Sequence, residues 1–462
     1  VKGAIITMKI NAEILFSTDG QITKNLLVKQ FVDNQAEEFS TFVHDGKQLV
    51  VIKNKEWKTL DEIRSVAGEI SRKLATQKVD YASIQADQLA QKWSSVDEAV
   101  TAFVEGWHLG AYNFDRYQSK KADPVTTLNV IGADKGAVKS GEVRAAAMAF
   151  SRDLMNELSD VLNPETYPEV LKDHFKGTKV KIDVLGKKEI EDREMNGVLT
   201  VCRGSKYEPS FVEMTLQTDA SKPLVALVGK GVTYDSGGIS LKGGRDDSDM
   251  RMDMGGSAAV SGALSLLAHS DAKVNVVVLI PMVENTPGPD AVMPGEVIQY
   301  KNGISVQVGN TDAEGRLILA DGLIRAGELH ADYTVDIATL TGAVVAALGT
   351  EVGGVFGDEE LSNKLKKIGD QNGDFVWPLP LVDAYEETLD SAYADCNNMS
   401  SLTVAGSITA GLFLRKFAPK SNWLHVDMAG VMDKQKSKGY YTKSATGYGA
   451  RLLADYAVSL TK

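Results

Sequence analysis

Cysteine is nearly absent, with only Cys202 and Cys396 among 462 residues. Two are too few for a disulfide framework, and these lie too far apart for a paired-cysteine metal motif, so two buried reduced thiols are expected. Long apolar runs are missing as well. None reaches the ~20 residues that span a bilayer, and residues 1–10 show neither the basic head nor the small-residue cleavage site of a signal peptide. A cytoplasmic protein with no membrane partner is expected. The chain opens with Val1, and the residues before Met8 are set aside from fold reasoning. An excess of positive charge is also lacking: 50 Lys+Arg face 62 Asp+Glu, a net charge of −12, which repels a phosphate backbone. Nucleic acid is therefore not expected as the main partner. Histidine is scarce. His44, His108, His174, His269, His330 and His425 include no pair at helical zinc spacing and none beside a Gly-flanked serine, and they read as structural.

What is present is an ordinary globular composition. With 43% hydrophobic and 24% charged residues, disordered, collagen-like and coiled-coil classes are excluded. The length allows two to four domains at ~100–200 residues each. In the first part, 49–52 and 126–131 read as strands and 60–74 and 96–112 as helices, predicting a smaller N-terminal α/β domain, 1–132, with no ligand-spaced cluster. Residues 140–162 form an unbroken helical pattern stopped by Asn163-Pro164, which places a connecting helix in 133–163. Beyond it, apolar runs at 180–184, 224–228, 274–280, 333–337 and 423–426 alternate with helical stretches such as 256–268 and 313–329. This predicts a larger C-terminal α/β domain, 164–462, with a mostly parallel central sheet flanked by helices. Residues 296–308, centred on Asn302-Gly303, read instead as a β-hairpin.

In parallel α/β sheets, ligands bind beyond the carboxyl ends of the strands. Three segments near such ends are unusual. The first, GKGVTYDSGGISLK at 229–242, puts Lys230 at a strand end, Asp235 in a turn-prone stretch and Lys242 after a Gly237-Gly238 pair. It lacks the glycine spacing of a Walker loop and could be a solvated surface loop. The second, MRMDMGG at 250–256, sets Asp253 among three methionines before an apolar helix, where helix capping is a ready explanation. In the third, NTDAEGRL at 310–317, Asp312 and Glu314 could cap a helix and Arg316 lie on its surface. The same residues could hold a divalent metal and an anion together. Taken jointly, Asp235, Asp253, Asp312 and Glu314 supply four carboxylates, as two adjacent divalent cations require to offset their mutual repulsion.

Together the three segments resemble the signature of the leucyl aminopeptidase family, two-metal cytosolic exopeptidases, with NTDAEGRL as the most specific piece. The resemblance runs from about Ser140 to the end, through VDIATLTGA at 335–343 and WLHVDMAG at 423–430. The N-terminal section is similar only in general character. The resemblance implies that Lys230, Asp235, Asp253 and Glu314 hold one metal and Asp235, Asp312 and Glu314 the other. It makes Lys242 and Arg316 the catalytic residues that are not ligands, and sets Lys242, Met250, Thr339 and Gly342 against the substrate.

A metal-bridging hydroxide would then attack the peptide bond, since a bound dication lowers the pKa of water from about 15.7 to around 7. Lys230 could be a ligand only as a neutral amine. Lys242 would polarise the scissile carbonyl, and Arg316 would hold bicarbonate as general base. The implied metals are Mn2+ or Zn2+, with Mg2+ and Co2+ as alternatives. The implied substrates are short peptides with a free N-terminus, preferably beginning with Leu or a similar apolar residue, and the implied assembly is a homohexamer. Two rivals stand beside this reading: phosphoester hydrolysis by the same metal pair, and a DNA-binding regulatory role on the same scaffold.

Overall fold

The computed structural model describes residues 9–24, 26–34, 36–44, 47–53, 56–90, 93–243, 247–420 and 422–461. The stretch set aside before Met8 lies outside them. Contacts divide the chain into two units, Val1–Ala146 with Gln435–Lys443, and Ala147–Lys434 with Ser444–Lys462. No described helix is long and apolar enough to cross a membrane.

The first unit is built on a five-stranded sheet. Its order is Phe39–His44, Lys47–Ile52, Asn11–Phe16, Tyr81–Gln85, Thr127–Ile131, parallel except for the hairpin formed by the first two. Helices Leu60–Thr76 and Val96–Gly110 are each opened by a hydroxyl cap, Thr59 and Ser95, whose oxygens accept the amides of Glu62 and Glu98. Their apolar faces supply Ile63, Ala67, Ile70, Phe103 and Trp107 to a core shared with the strands. The expected helices and the 49–52 and 126–131 strands are therefore present. Three further strands escaped the pattern because their apolar runs are short.

The second unit carries a nine-stranded sheet. At its centre, Trp423–Asp427, Tyr333–Ala338, Leu224–Gly229 and Asn275–Asn285 lie side by side and parallel. Ser210–Gln217 joins Asn275–Asn285 antiparallel, and Lys181–Leu185 follows it. On the other side Gly353–Gly357 pairs antiparallel with Trp423–Asp427 and carries Val376–Pro378. The four central strands are largely apolar, with Val225, Leu227, Val276, Val278, Ile280, Val335, Ile337, Leu424 and Val426 all buried. Burial on both faces is what helices on both sides of a parallel sheet impose. The expected hairpin is present as Val297–Gln299 against Ser305–Gln307, with Gly303 at φ +92 in its turn.

Two local expectations need correction. The helix read as 140–162 runs Lys135–Asn156; its last expected turn is replaced by a tight turn in which the Leu158 carbonyl accepts from the amides of Val161 and Leu162. Tertiary contacts decide this, since the Asn156 side-chain oxygen accepts from Ser444 and from the amide of Ala445. Asp235, expected in a turn, is the last residue of a strand, Gly231–Asp235, that pairs with the far half of Asn275–Asn285.

Candidate metal centre and cavity

The site lies at the carboxyl ends of the central strands. Strand Leu224–Gly229 breaks at Lys230, whose amide donates to the Ile337 carbonyl at 3.2 Å while its own carbonyl accepts from Ser257 at 2.8 Å. The chain resumes as Gly231–Asp235 and then turns through Gly237 and Gly238, both left-handed at φ +88 and +63. Only glycine enters that region at no steric cost, and the turn returns Lys242 so that its amide reaches the Ser236 carbonyl at 2.9 Å. Asp253 follows a short helical turn, Ser248–Met252, and precedes helix Gly255–Ala268. Asp312 and Glu314 stand at the start of helix Glu314–Glu328.

Capping does not account for these acids. Helix Gly255–Ala268 and helix Glu314–Glu328 both begin without a side-chain cap, because the carboxylates point into the site. Lys230 Nζ lies 2.6 Å from Asp253 Oδ2 and 2.9 Å from Glu314 Oε1, and donates to the Thr339 carbonyl at 3.0 Å. Lys242 Nζ lies 2.7 Å from Asp235 Oδ2 and also pairs with Asp312. Asp253 Oδ1 accepts from the Thr339 hydroxyl at 2.7 Å. Asp235 Oδ1 accepts from the Gly237 amide at 2.9 Å and from Asn285 Nδ2 at 2.8 Å. Arg316 is buried, and its Nη1 donates to the Asn398 carbonyl at 2.8 Å.

The electrostatics follow from crowding at low exposure. Burial pulls the Lys230 ammonium toward the neutral amine, but Asp253, Glu314 and Asp235 outweigh it and hold the pKa above its ordinary value. Lys242 is likewise held up against burial, chiefly by Asp235. Burial and the nearby Glu314 push Asp235 up despite both lysines. Asp253 is driven well up by burial, with Asp235 and Glu314 adding to it against the pull of Lys230. Glu314 resists burial through Lys230 and stays below its ordinary range. Burial lowers Arg316 to about 10, offset in part by Glu314 and Asp427.

All ten residues singled out from the sequence, Lys230, Asp235, Lys242, Met250, Asp253, Asp312, Glu314, Arg316, Thr339 and Gly342, line one cavity of about 360 Å³. Carboxylate oxygens of Asp235, Asp312 and Glu314 lie within 4.8 Å of one another. Glu314 Oε2 is buried without a hydrogen-bond donor. A buried carboxylate oxygen left unsatisfied is costly unless a cation meets it, and an oxygen-rich set of this kind suits divalent ions. The residues fit a metal. The sequence reading missed Leu340, Val345, Ala429 and Met432, which also line the cavity. Applying the strand-end rule to Trp423–Asp427 would have pointed at the last two.

A carboxylate-rich cavity at the carboxyl edge of a parallel sheet, with an apolar flank, is that of a metal-dependent hydrolase. Residues 149–454 match the cytosol aminopeptidase family, catalytic domain, and residues 53–121 match the N-terminal domain of the same family. The N-terminal section, read as similar only in general character, is thus a recognisable part of it. The probable cytosol aminopeptidase of Persephonella marina is 36% identical over 410 residues, covering 87% of this chain and 82% of its own. That of Chlorobaculum tepidum is 39% identical over 437 residues, covering 89% and 86%. A solved structure, the bottromycin maturation enzyme BotP in complex with Mn, superposes with a TM-score of 0.89 at 29% identity, covering 98% of this chain and all of that one. The chain belongs to the cytosol aminopeptidase family and is a metal-dependent aminopeptidase. These relationships lend no support to the phosphoester or DNA-binding alternatives.

Proposed function

We propose that this enzyme removes the N-terminal residue of short peptides, with preference for Leu and similar apolar side chains. Lys230, Asp235, Asp253 and Glu314 would hold one divalent cation and Asp235, Asp312 and Glu314 a second, Mn2+ or Zn2+, with Mg2+ and Co2+ as alternatives. When bound, the two cations supply hydroxide from water at neutral pH and Lewis acidity for the substrate. The observation that carries this reading is the convergence of three carboxylates on one point, one of them with an unsatisfied buried oxygen.

The chain's own residues do the remaining work. Lys242, an ammonium at neutral pH, donates to the scissile carbonyl oxygen and stabilises the negative charge that gathers there. Arg316, anchored through Asn398, presents its guanidinium to bicarbonate, whose chemistry is that of a general base. Thr339 turns its hydroxyl to Asp253 and its carbonyl to Lys230, orienting two ligands from one residue. Met250, Thr339 and Gly342, with Ala429 and Met432, border the space for the first side chain. Discrimination there is broad, because one methylene in an apolar pocket is worth only about 1–3 kcal/mol. The proposal includes a homohexamer, and it places the enzyme in the cytoplasm, in keeping with the name of the relatives and with two free, buried cysteines.

The test is elemental analysis of the purified protein together with a panel of aminoacyl amides, run on metal-stripped and reloaded samples. Two metals per chain and hydrolysis restored by reloading, strongest on the Leu amide, are expected. Undiminished hydrolysis after chelation would defeat the proposal.

A further inference from the structure

Asp427 lies beside the cavity without lining it. It ends strand Trp423–Asp427, is fully buried, and stands in register with Ala338, the last residue of strand Tyr333–Ala338. Its carboxylate meets donors from two stretches of the cavity lining. Oδ1 accepts from the amides of Leu340 at 3.2 Å, Thr341 at 3.4 Å and Ala429 at 3.3 Å, and Oδ2 accepts from the Thr341 hydroxyl at 2.6 Å. Four donors converge on the two oxygens, the pattern of an acceptor-only carboxylate. With its proton committed to Asp427, the Thr341 hydroxyl accepts from the Val344 amide at 3.1 Å, capping helix Gly342–Leu348, and from Ser407 Oγ at 2.9 Å.

One buried charge therefore joins the 339–342 stretch to the 429–432 stretch. The first of these carries Thr339, whose carbonyl and hydroxyl reach Lys230 and Asp253. The second carries Ala429 and Met432. We propose that Asp427 is a positioning residue that sets the width of the pocket for the substrate's first side chain by tying these two stretches together. The inference rests on the reading of the cavity as the site of an N-terminal residue.

Asn at this position is close in shape but wrong in donors. With its oxygen on the Oδ1 side it still accepts the three amides, but its NH2 then takes the place of the acceptor of the Thr341 hydroxyl and turns that proton toward Ser407 Oγ; with its NH2 on the Oδ1 side it faces three N–H groups. Either orientation removes the charge and the Thr341 hydroxyl's bond to it, so the tie loosens and large side chains lose their fit first.

The experiment compares kcat and KM for leucine amide and alanine amide in the wild type, Asp427→Asn, Thr341→Val, Thr341→Ser and the Asp427→Asn/Thr341→Val double variant, with metal content measured for each. In Asp427→Asn the Leu-to-Ala ratio of kcat/KM is expected to fall about tenfold, mainly through KM for the Leu substrate, with metal content kept. Thr341→Val moves the ratio the same way, Thr341→Ser keeps it near wild type, and the double variant falls no further than Asp427→Asn, as a shared interaction requires. If Asp427→Asn does not fold, Thr341→Val carries the comparison alone. An unmoved ratio in folded variants, or equal losses of kcat on both amides, overturns the assignment while leaving the aminopeptidase reading intact. A wild type that cleaves neither amide overturns both.

Discussion

Lys230 carries an ammonium shared by Asp253, Glu314 and the Thr339 carbonyl. For it to ligate a metal, the cation must displace a proton that the protein alone holds more tightly than usual. Arginine cannot lose that proton. Lys230→Arg is accordingly expected to abolish one metal equivalent and cut kcat/KM by about 10²-fold or more, read by elemental analysis and amide hydrolysis together. Gly315 gives a more selective test. A Cβ there would stand 2.5 Å from Lys230 Cε, so Gly315→Ala must push the lysine off its partners. A fall in metal affinity of about 10- to 100-fold is expected by titration calorimetry, and unchanged affinity would show that the lysine does not need its present position. At this scale much of the site was legible. The acids and lysines fall in three short contiguous segments, and charged residues next to glycines at strand ends are conspicuous. Ala429 and Met432 were not singled out, since small and apolar residues at a strand end look the same whether they face a core or a cavity, and Asp427 was not because it stands inside the strand rather than past it.

Helix ends show a different balance between local and tertiary effects. Asp253 and Glu314 stand where capping would use them, yet both turn to Lys230 instead, because buried charge must be paired where it lies. Where helices Tyr167–His174 and Gly255–Ala268 end, His174 stacks on Phe150 with ring centroids 3.4 Å apart, and its Nε2 lies 2.8 Å from Ser265 Oγ. Burial, with the neighbouring His269 adding to it, lowers His174 to about 4. Its folded pKa lies below the unfolded value near 6.5, so the unfolded chain binds the proton more readily between them. The stabilising contribution is present above about pH 6.5 and is lost as pH falls toward 4. Thermal unfolding across that window should fall less steeply for His174→Phe, which keeps the stack and removes the titration; parallel curves would contradict this. Helix Ala450–Ser459 is held by Arg451, whose Nε lies 3.0 Å from Asp374 Oδ1 with both side chains fully buried. Arg451→Met would take the cation from that buried carboxylate and cost about 3–5 kcal/mol by denaturant titration. Element types and centres were readable from apolar periodicity. The end of helix Lys135–Asn156 was not, because its last turn depends on residues 444–445, far along the chain.

Over the whole molecule, a net charge of −12 and a cluster of buried carboxylates both favour cation binding. Mn2+ at about 100 times its dissociation constant should stabilise the fold by about 2.7 kcal/mol, with a matching rise in melting temperature that a chelator reverses. No shift on metal addition would count against a built metal site. The proposed hexamer predicts a single sedimenting species of six chains at micromolar concentration.

By itself, the sequence determined the class of the second unit and marked the charged segments that meet in its cavity. Alternating apolar runs and helices demand a parallel sheet covered on both faces, and the charged residues that no core would accept sit just past those runs. The tertiary structure alone decided which residues share the cavity. Strands 423–427, 333–338, 224–229 and 275–285 are neighbours in an order unrelated to their order in the chain. Contact between their ends is settled by how the sheet assembles and buries its faces, and no local pattern of residues encodes that adjacency.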